Sequence, residues 1–207
     1  AVAVLTAQNT SISNLEITEG VTFSNAKSQV SSGQNELPST LTTEQIKKYL
    51  ENFSSVNLPT INVDLSNEGS LTVSEINEWD ALTNGSITAV IADNDMSSLN
   101  NLASGASNAF SITVSDTTAA ASELISLDAK TTLSITAGSV ANVSGAASDV
   151  KALIQSSGIS MQANLQVVLM NASENLASDI SAISSATKSI DASQLSSISG
   201  SRTFVQE

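Results

Sequence analysis

Residues 74–89 read SEINEWDALTNGSITA, and residues 122–137 read SELISLDAKTTLSITA, the same phrase 48 positions on (122 − 74 = 48). Ser, Glu, the apolar third and sixth residues, Asp-Ala, Thr and the closing Ser-Ile-Thr-Ala all keep their places. Self-similarity at a fixed step is the mark of a repeat architecture, whose units bury their apolar stripes only against one another. From Ile61 onward, short alternating or β-branched runs recur at INVDL (61–65), ITAVIA (87–92), SITVS (111–115), SITA (134–137), LQVVL (165–169) and KSIDA (188–192). Their starts lie 26, 24, 23, 31 and 23 residues apart. Between them come segments of helical spacing: SLTVSEINEWDAL, MSSLNNLASGAS, TAAASELISLDAK, SGAASDVKALIQ and NASENLASDISAISSA. In the third, Ala120, Leu124 and Leu127 share one helical face. Each unit therefore reads as one strand plus one short helix in about 24 residues, with two alternating flavours giving the 48-residue period. Ser134-Ile135 and Gly145 recur as Ser189-Ile190 and Gly200, 55 on. The extra seven residues (55 − 48 = 7) fit an insertion around QSSGISMQAN (155–164), where Gly158 is a breaker.

The expected fold is α/β: a β–α solenoid with a parallel sheet on one side and short helices on the other, preceded by an N-terminal cap. Strands joined through helices of this length pair in parallel, and the general rule for parallel crossovers makes the winding right-handed. Six strands at the spacing between neighbours span roughly 25 Å. The composition suits such a thin layered core, since 41 % of residues are apolar but only 3 % aromatic. The leading region differs. Pro38 and Pro59, the two prolines, bracket one helix in STLTTEQIKKYLENFSSV. Thr42 and Gln45 there form a capping box, and Ile46, Tyr49, Leu50 and Phe53 make an apolar stripe at i, i+3, i+4 and i+7. Phe23, Tyr49 and Phe53 place half of the six aromatics before Pro59. Residues 1–58 thus read as a cap or small leading domain, and residues 59–207 as the repeat domain.

A net charge of −13 excludes nucleic acid as a partner, because binding it requires cations that displace counterions from phosphate. The seven cations never cluster beyond Lys47-Lys48, so an anionic membrane surface is excluded on the same ground. No apolar run is long enough to insert into a bilayer. The absence of His removes His-based triads, HExxH zinc sites and imidazole acid–base chemistry. With no Cys, the redox compartment is unreadable and stability owes nothing to disulfides. The opening AVAVLTAQ lacks the features of a signal peptide and no Met precedes it, so the chain reads as a processed or excised segment.

An Asp or Asn recurs at or just after the strands: Asp64, Asp93, Asp116, Asn171 and Asp191. Such a residue turns the chain or caps the helix that follows, its oxygen accepting a backbone amide. The alternative is a row of carboxylates binding calcium, the one metal these acids suggest. Asp93 and Asp95 in Asp93-Asn94-Asp95 are its candidate ligands, without the spacing of an EF-hand loop or a calcium β-roll. Ser-x-x-Lys occurs at Ser24-Lys27, Ser148-Lys151 and Ser185-Lys188, but the companion motifs of penicillin-recognising hydrolases are missing. Glu75, Glu78 and Asp80 share a helix whose Ile76 and Trp79 supply the buried stripe, which puts the acids on its solvated side. Asn-x-Ser/Thr occurs at Asn9, Asn52, Asn84, Asn142 and Asn171, in a chain rich in Asn and Ser. No catalytic site and no organic cofactor are expected.

The string SITVSDTTAAASELISLDAKTTLSITAGSVANVSGAASDVKALIQSSGI (111–159) resembles the strand–helix repeats of very large Ser/Thr/Ala-rich surface proteins of cyanobacteria, of the S-layer-like and haemolysin-like kind. Similar repeats occur in virion proteins of phages that infect such hosts. The likeness extends more weakly over 61–110 and 165–200, and it does not reach residues 1–58. It implies a secreted, cell-surface location and a structural, adhesive or lattice-forming role, with a phage tail or fibre component as the alternative. The expected partners are further copies of the chain, other surface proteins or polysaccharide. An enzyme on a solenoid scaffold, such as a polysaccharide lyase, would need clustered acids with His, Arg or aromatic sugar platforms, and this repeat region has one Trp, no Tyr and no His.

Overall fold

The structure, a computed structural model, describes residues 41–103, 107–172, 174–187 and 189–200. It is a mixed α/β arrangement of short helices and parallel strands. In chain order the elements are α1 (Thr43–Leu50), β1 (Val63–Asp64), β2 (Ser70–Leu71), α2 (Val73–Asp80), β3 (Ile87–Ile91), α3 (Met96–Leu99), β4 (Ala109–Ser111), β5 (Thr118–Ala120), α4 (Ala121–Asp128), β6 (Ile135–Ala137), β7 (Asn142–Gly145), α5 (Ala147–Gln155), β8 (Ile159–Met161), β9 (Gln166–Leu169), α6 (Ala177–Ser184) and β10 (Ser189–Asp191).

Every strand pairing among these residues is parallel, and each joins positions one unit apart. Val63 faces Ile87, Thr118 faces Asn142, Ile135 faces Ile159 and Asn142 faces Gln166, each a step of 24 residues. Thr88 faces Ala109 at a step of 21, and Gln166 faces Ser189 at a step of 23. The 48-residue phrase is therefore two such steps, not two flavours of unit. A unit is also richer than one strand and one helix, for α4 is followed by β6 and β7 before α5 begins. The second strand escaped the sequence because Thr118-Ala119-Ala120 and Asn142-Val143-Ser144-Gly145 are too short and too small to display β-branched alternation.

The strands fall into three sheets where a single ladder was expected: β1–β4, the row β5–β7–β9–β10, and the pair β6–β8. A lone bridge between Thr113 and Thr136 carries the β6–β8 ladder one unit back. In the first sheet β1 and β2 pair with successive halves of β3. Asp64 to Ser70 spans six positions where Thr88 to Val90 spans two, so four residues loop out between β1 and β2. Gly69, at φ +85°, returns that loop to the sheet through backbone that residues with a Cβ rarely adopt.

Side-chain alternation sets which strand residues enter the core. Ile87, Ala89 and Ile91 of β3 are buried, as are Ile135 and Ala137 of β6 and Val167 and Leu169 of β9. Helices add Ile76 and Trp79, Leu124 and Leu127, Val150 and Leu153, at the i, i+3 spacing of one face. A fully buried Leu or Ile contributes about 1.5–3 kcal/mol. Helix α1 has the expected capping box between Thr42 and Gln45. Its Tyr49 and Leu50 join the same buried cluster as the later units. Lys47 pairs with Glu78 of α2 at 2.9 Å and lies 5.8 Å from the Trp79 ring centre. Of the expected leading region 1–58, residues 1–40, Phe23 among them, lie outside the described residues.

The extra seven residues are not where the sequence suggested. Register with β6 and β7 stays at 24 through β8 and β9, so QSSGISMQAN contains no insertion. The added stretch is 170–176, which ends in a third strand position, Leu176, bridged to Ser199. Three strand positions thus lie between α5 and α6, where two lie between α4 and α5. As a result β10, the first strand after α6, lies against β9 instead of β8. The recurrence of Gly145 as Gly200 has a packing cause. A Cβ at Gly145 would stand 3.2 Å from the Ala121 Cβ, and one at Gly200 would stand 2.9 Å from the Ala177 Cβ. Each glycine lets its strand cross closely over the first residue of the helix one unit back.

Candidate functional site

The chemistry-bearing residues are best judged by what their polar atoms already touch. Asp93 follows β3, and its Oδ2 accepts the amide of Val73, the first residue of α2, at 2.6 Å. Asp116 does the same one unit later, accepting the Met96 amide at the start of α3, also at 2.6 Å. Both carboxylates therefore cap a helix 20 residues back in the chain, whereas the sequence reading assigned them to the helix that follows. The physical reason is the parallel stacking, which lays the strand exit of one unit over the helix start of the unit before. An unpaired first-turn amide and the positive end of the helix favour a carboxylate there. At α6 a backbone carbonyl takes this place, as Ala177 donates its amide to Ser199 O at 2.8 Å.

Asp95 caps the helix after it. Its Oδ1 accepts from the Ser98 amide at 2.9 Å and the Ser97 hydroxyl at 2.5 Å. The Ser97 hydroxyl first, then the Ser98 amide, hold its carboxyl below the usual carboxylate range. Asp93 and Asp95, the candidate calcium ligands, thus each serve a different helix start. Among the described residues, no group of three or more Asp, Glu, His or Cys side chains is placed to hold a metal ion. Asp64 and Asp191 close local turns, accepting the amides of Ser66 and Ser193 at 2.9 Å each. Those bonds lower both carboxyls, for Asp64 mainly through the Ser66 side chain and for Asp191 mainly through the Ser193 amide. Asn171 Oδ1 holds Ser196 through its amide (3.2 Å) and its hydroxyl (3.0 Å).

The suggested catalytic pairs are not assembled. Lys151 Nζ lies 2.8 Å from Asp179 Oδ1, an ion pair joining α5 to α6 with the carboxylate side chain only 9 % exposed. The Ser148 hydroxyl turns to Asp149. Ser24, Lys27 and Lys188 lie outside the described residues. Glu75 completes the capping box of α2 with Thr72, Glu78 pairs with Lys47, and Asp80 accepts from Asn108 Nδ2 at 3.4 Å. Three acids on one helix perform three separate structural tasks.

The sequence reading missed the side chains that clasp one unit to the next. Thr83 is 4 % exposed. Its Oγ1 accepts from the amides of Ile61 (3.1 Å) and Gly85 (2.9 Å) and lies 3.0 Å from Pro59 O and 2.7 Å from Ile61 O. Asn108, 1 % exposed, accepts the Ile87 amide at 2.8 Å. Thr131 Oγ1 reaches both the amide and the carbonyl of Phe110 at 2.9 Å. Ser156 Oγ donates to Asp128 Oδ2 at 3.1 Å, as Asn108 does to Asp80, in both cases 28 residues back (108 − 80 = 156 − 128 = 28). Lys130 Nζ closes the end of α3 by donating to Asn100 O at 2.9 Å and Leu102 O at 2.6 Å. Burial pushes its ammonium below the usual lysine range. The signal was present in the opening phrase: its conserved Asp (80, 128) and Thr (83, 131) are these clasping residues. Compared with protein-family models, with curated proteins and with solved structures, the chain matches none.

Proposed function

We propose that this chain is a non-enzymatic structural or adhesive repeat module of an extracellular surface or self-assembling protein. In this reading the parallel units wind as a β–α solenoid with residues 1–58 as its cap. The observation that carries the proposal is the allocation of polar groups. Asp93, Asp95, Asp116, Asp80, Asp128, Thr83 and Thr131 all bind neighbouring backbone or side chains within the stack. A chain that commits its acids and hydroxyls to joining units is built for length and rigidity, and catalysis would require some of them to be poised for a substrate. Contact with other molecules then falls to outward strand positions and to the open end. Row by row the outward positions of the longest ladder are Thr118, Asn142, Gln166 and Ser189, all neutral. A neutral hydrogen-bonding row on a strongly acidic chain suits a second copy or a polysaccharide. A phage tail or fibre component would use the same geometry for the same purpose.

Sedimentation of the whole chain across a concentration series, with and without calcium, tests the proposal. The expected result is association that grows with concentration, strengthened by calcium if Asp93 and Asp95 hold it. A monomer at every concentration in both buffers, with slow amide exchange at β10, would overturn the self-assembling reading.

A further inference from the structure

The Asn84-Gly85 pair combines the two residues most prone to spontaneous succinimide formation. In that reaction the Gly85 nitrogen loses its proton and attacks the Asn84 side-chain carbonyl carbon. A C–N bond forms, the carboxamide C–N bond breaks, and ammonia leaves carrying the proton. Water then opens the ring to aspartate or isoaspartate. In an unfolded chain nothing hinders these steps, because glycine places no side chain in the way.

The fold opposes each step. The Gly85 amide donates to Thr83 Oγ1 at 2.9 Å, so the attacking nitrogen is engaged and turned toward a buried hydroxyl. Asn84 is fixed at both ends, its amide donating to Pro59 O at 2.8 Å and its Nδ2 to Leu58 O at 3.3 Å. Ring closure needs the Gly85 peptide plane to swing toward the carboxamide. It has no room to do so, since a Cβ built on Gly85 would lie 2.1 Å from Ile61 O and 2.7 Å from the Asn62 amide nitrogen. We infer that Asn84 is a conditional deamidation site, shielded by Thr83 while the clasp to Pro59 and Ile61 is closed and modified once that clasp opens. The products matter to the stack. Aspartate or isoaspartate at 84 removes the donor to Leu58 O and sets a negative charge beside that carbonyl.

The test is a time course in mildly alkaline buffer at body temperature, following the peptide containing residue 84 by mass spectrometry, with isoaspartate scored separately. Four samples are compared: the folded chain, the chain in urea, Thr83→Ser and Thr83→Val. The folded chain and Thr83→Ser, which keeps the hydroxyl, should modify at least roughly tenfold more slowly than the urea sample, the margin expected when reaction requires a local opening. Thr83→Val should approach the urea rate at residue 84. Because that variant can also lose its fold, hydrogen exchange of the Gly85 amide in the folded wild-type chain provides a second reading, and it should be slow. A folded chain that deamidates at residue 84 within about twofold of the urea rate, or a rapidly exchanging Gly85 amide, would overturn the inference.

Discussion

Replacing Gly85 by alanine is expected to lower stability by about 3 kcal/mol or more, the range reached when added atoms meet immovable neighbours. The new methyl would stand 2.1 Å from Ile61 O and 2.2 Å from the Ile61 carbonyl carbon, which are backbone atoms of the unit before. A flexible side chain could rotate away from such a contact. A carbonyl inside a parallel pairing cannot, because Val63 beside it is in register with Ile87. Relief would require the two units to separate, which would also break the bonds from Thr83 to Pro59 and Ile61. Urea unfolding followed through the single, buried Trp79 would report the loss. Gly138, with nothing within 4 Å of its notional Cβ, is the matched control. Its alanine variant should stay within about 0.5 kcal/mol of the parent.

The second large effect lies in the core. Phe110→Ala is expected to cost about 3–5 kcal/mol, the range for emptying a buried aromatic site. Phe110 is fully buried and is the largest side chain among the wholly enclosed ones. Its neighbours along the ladder are Ala89 and small aliphatics, which cannot move in to fill the space. Thr131 fixes the Phe110 backbone through both its amide and its carbonyl, so the surrounding chain cannot collapse inward either. The same urea titration should show the midpoint fall with little change in slope. A loss below about 1 kcal/mol would mean that the site relaxes far more than close packing permits.

The central strands and most helices were legible because their signals are local. Ile-Thr-Ala at 87–89 and 135–137 alternates as a half-buried strand must, and the Thr42–Gln45 box announces α1 within four residues. Helix α3 was overread: MSSLNNLASGAS promises more than one turn, yet only Met96–Leu99 is helical. Asn100 and Asn101 end it, Asn101 bonding back to Ser97 O in competition with the helix. The second strand of each unit was invisible for a different reason. It is a strand only because a copy of itself lies one step away, so the information resides in the pairing. The insertion was misplaced because Gly158 looks like a breaker. In the structure it follows a tight contact instead, where a Cβ would meet the Asp128 carboxylate at 2.1 Å. The acids were half legible. Their capping chemistry followed from residue type, but the choice of the helix one unit back depends on stacking geometry that no local window contains.

The claim beneath all of this is that units 24 residues apart lie side by side in parallel. Because the chain has no cysteine, paired substitutions can read that directly. In-register neighbours about 4.8 Å apart fall within the Cα span of roughly 4.4–6.8 Å that a disulfide accepts. Thr118→Cys with Asn142→Cys, and Asn142→Cys with Gln166→Cys, should each oxidise to an intramolecular disulfide in the folded chain. Asn142→Cys with Val168→Cys, displaced by two residues along the same face, should remain reduced. If both in-register pairs stayed reduced while the displaced pair closed, the parallel 24-residue stacking would be contradicted.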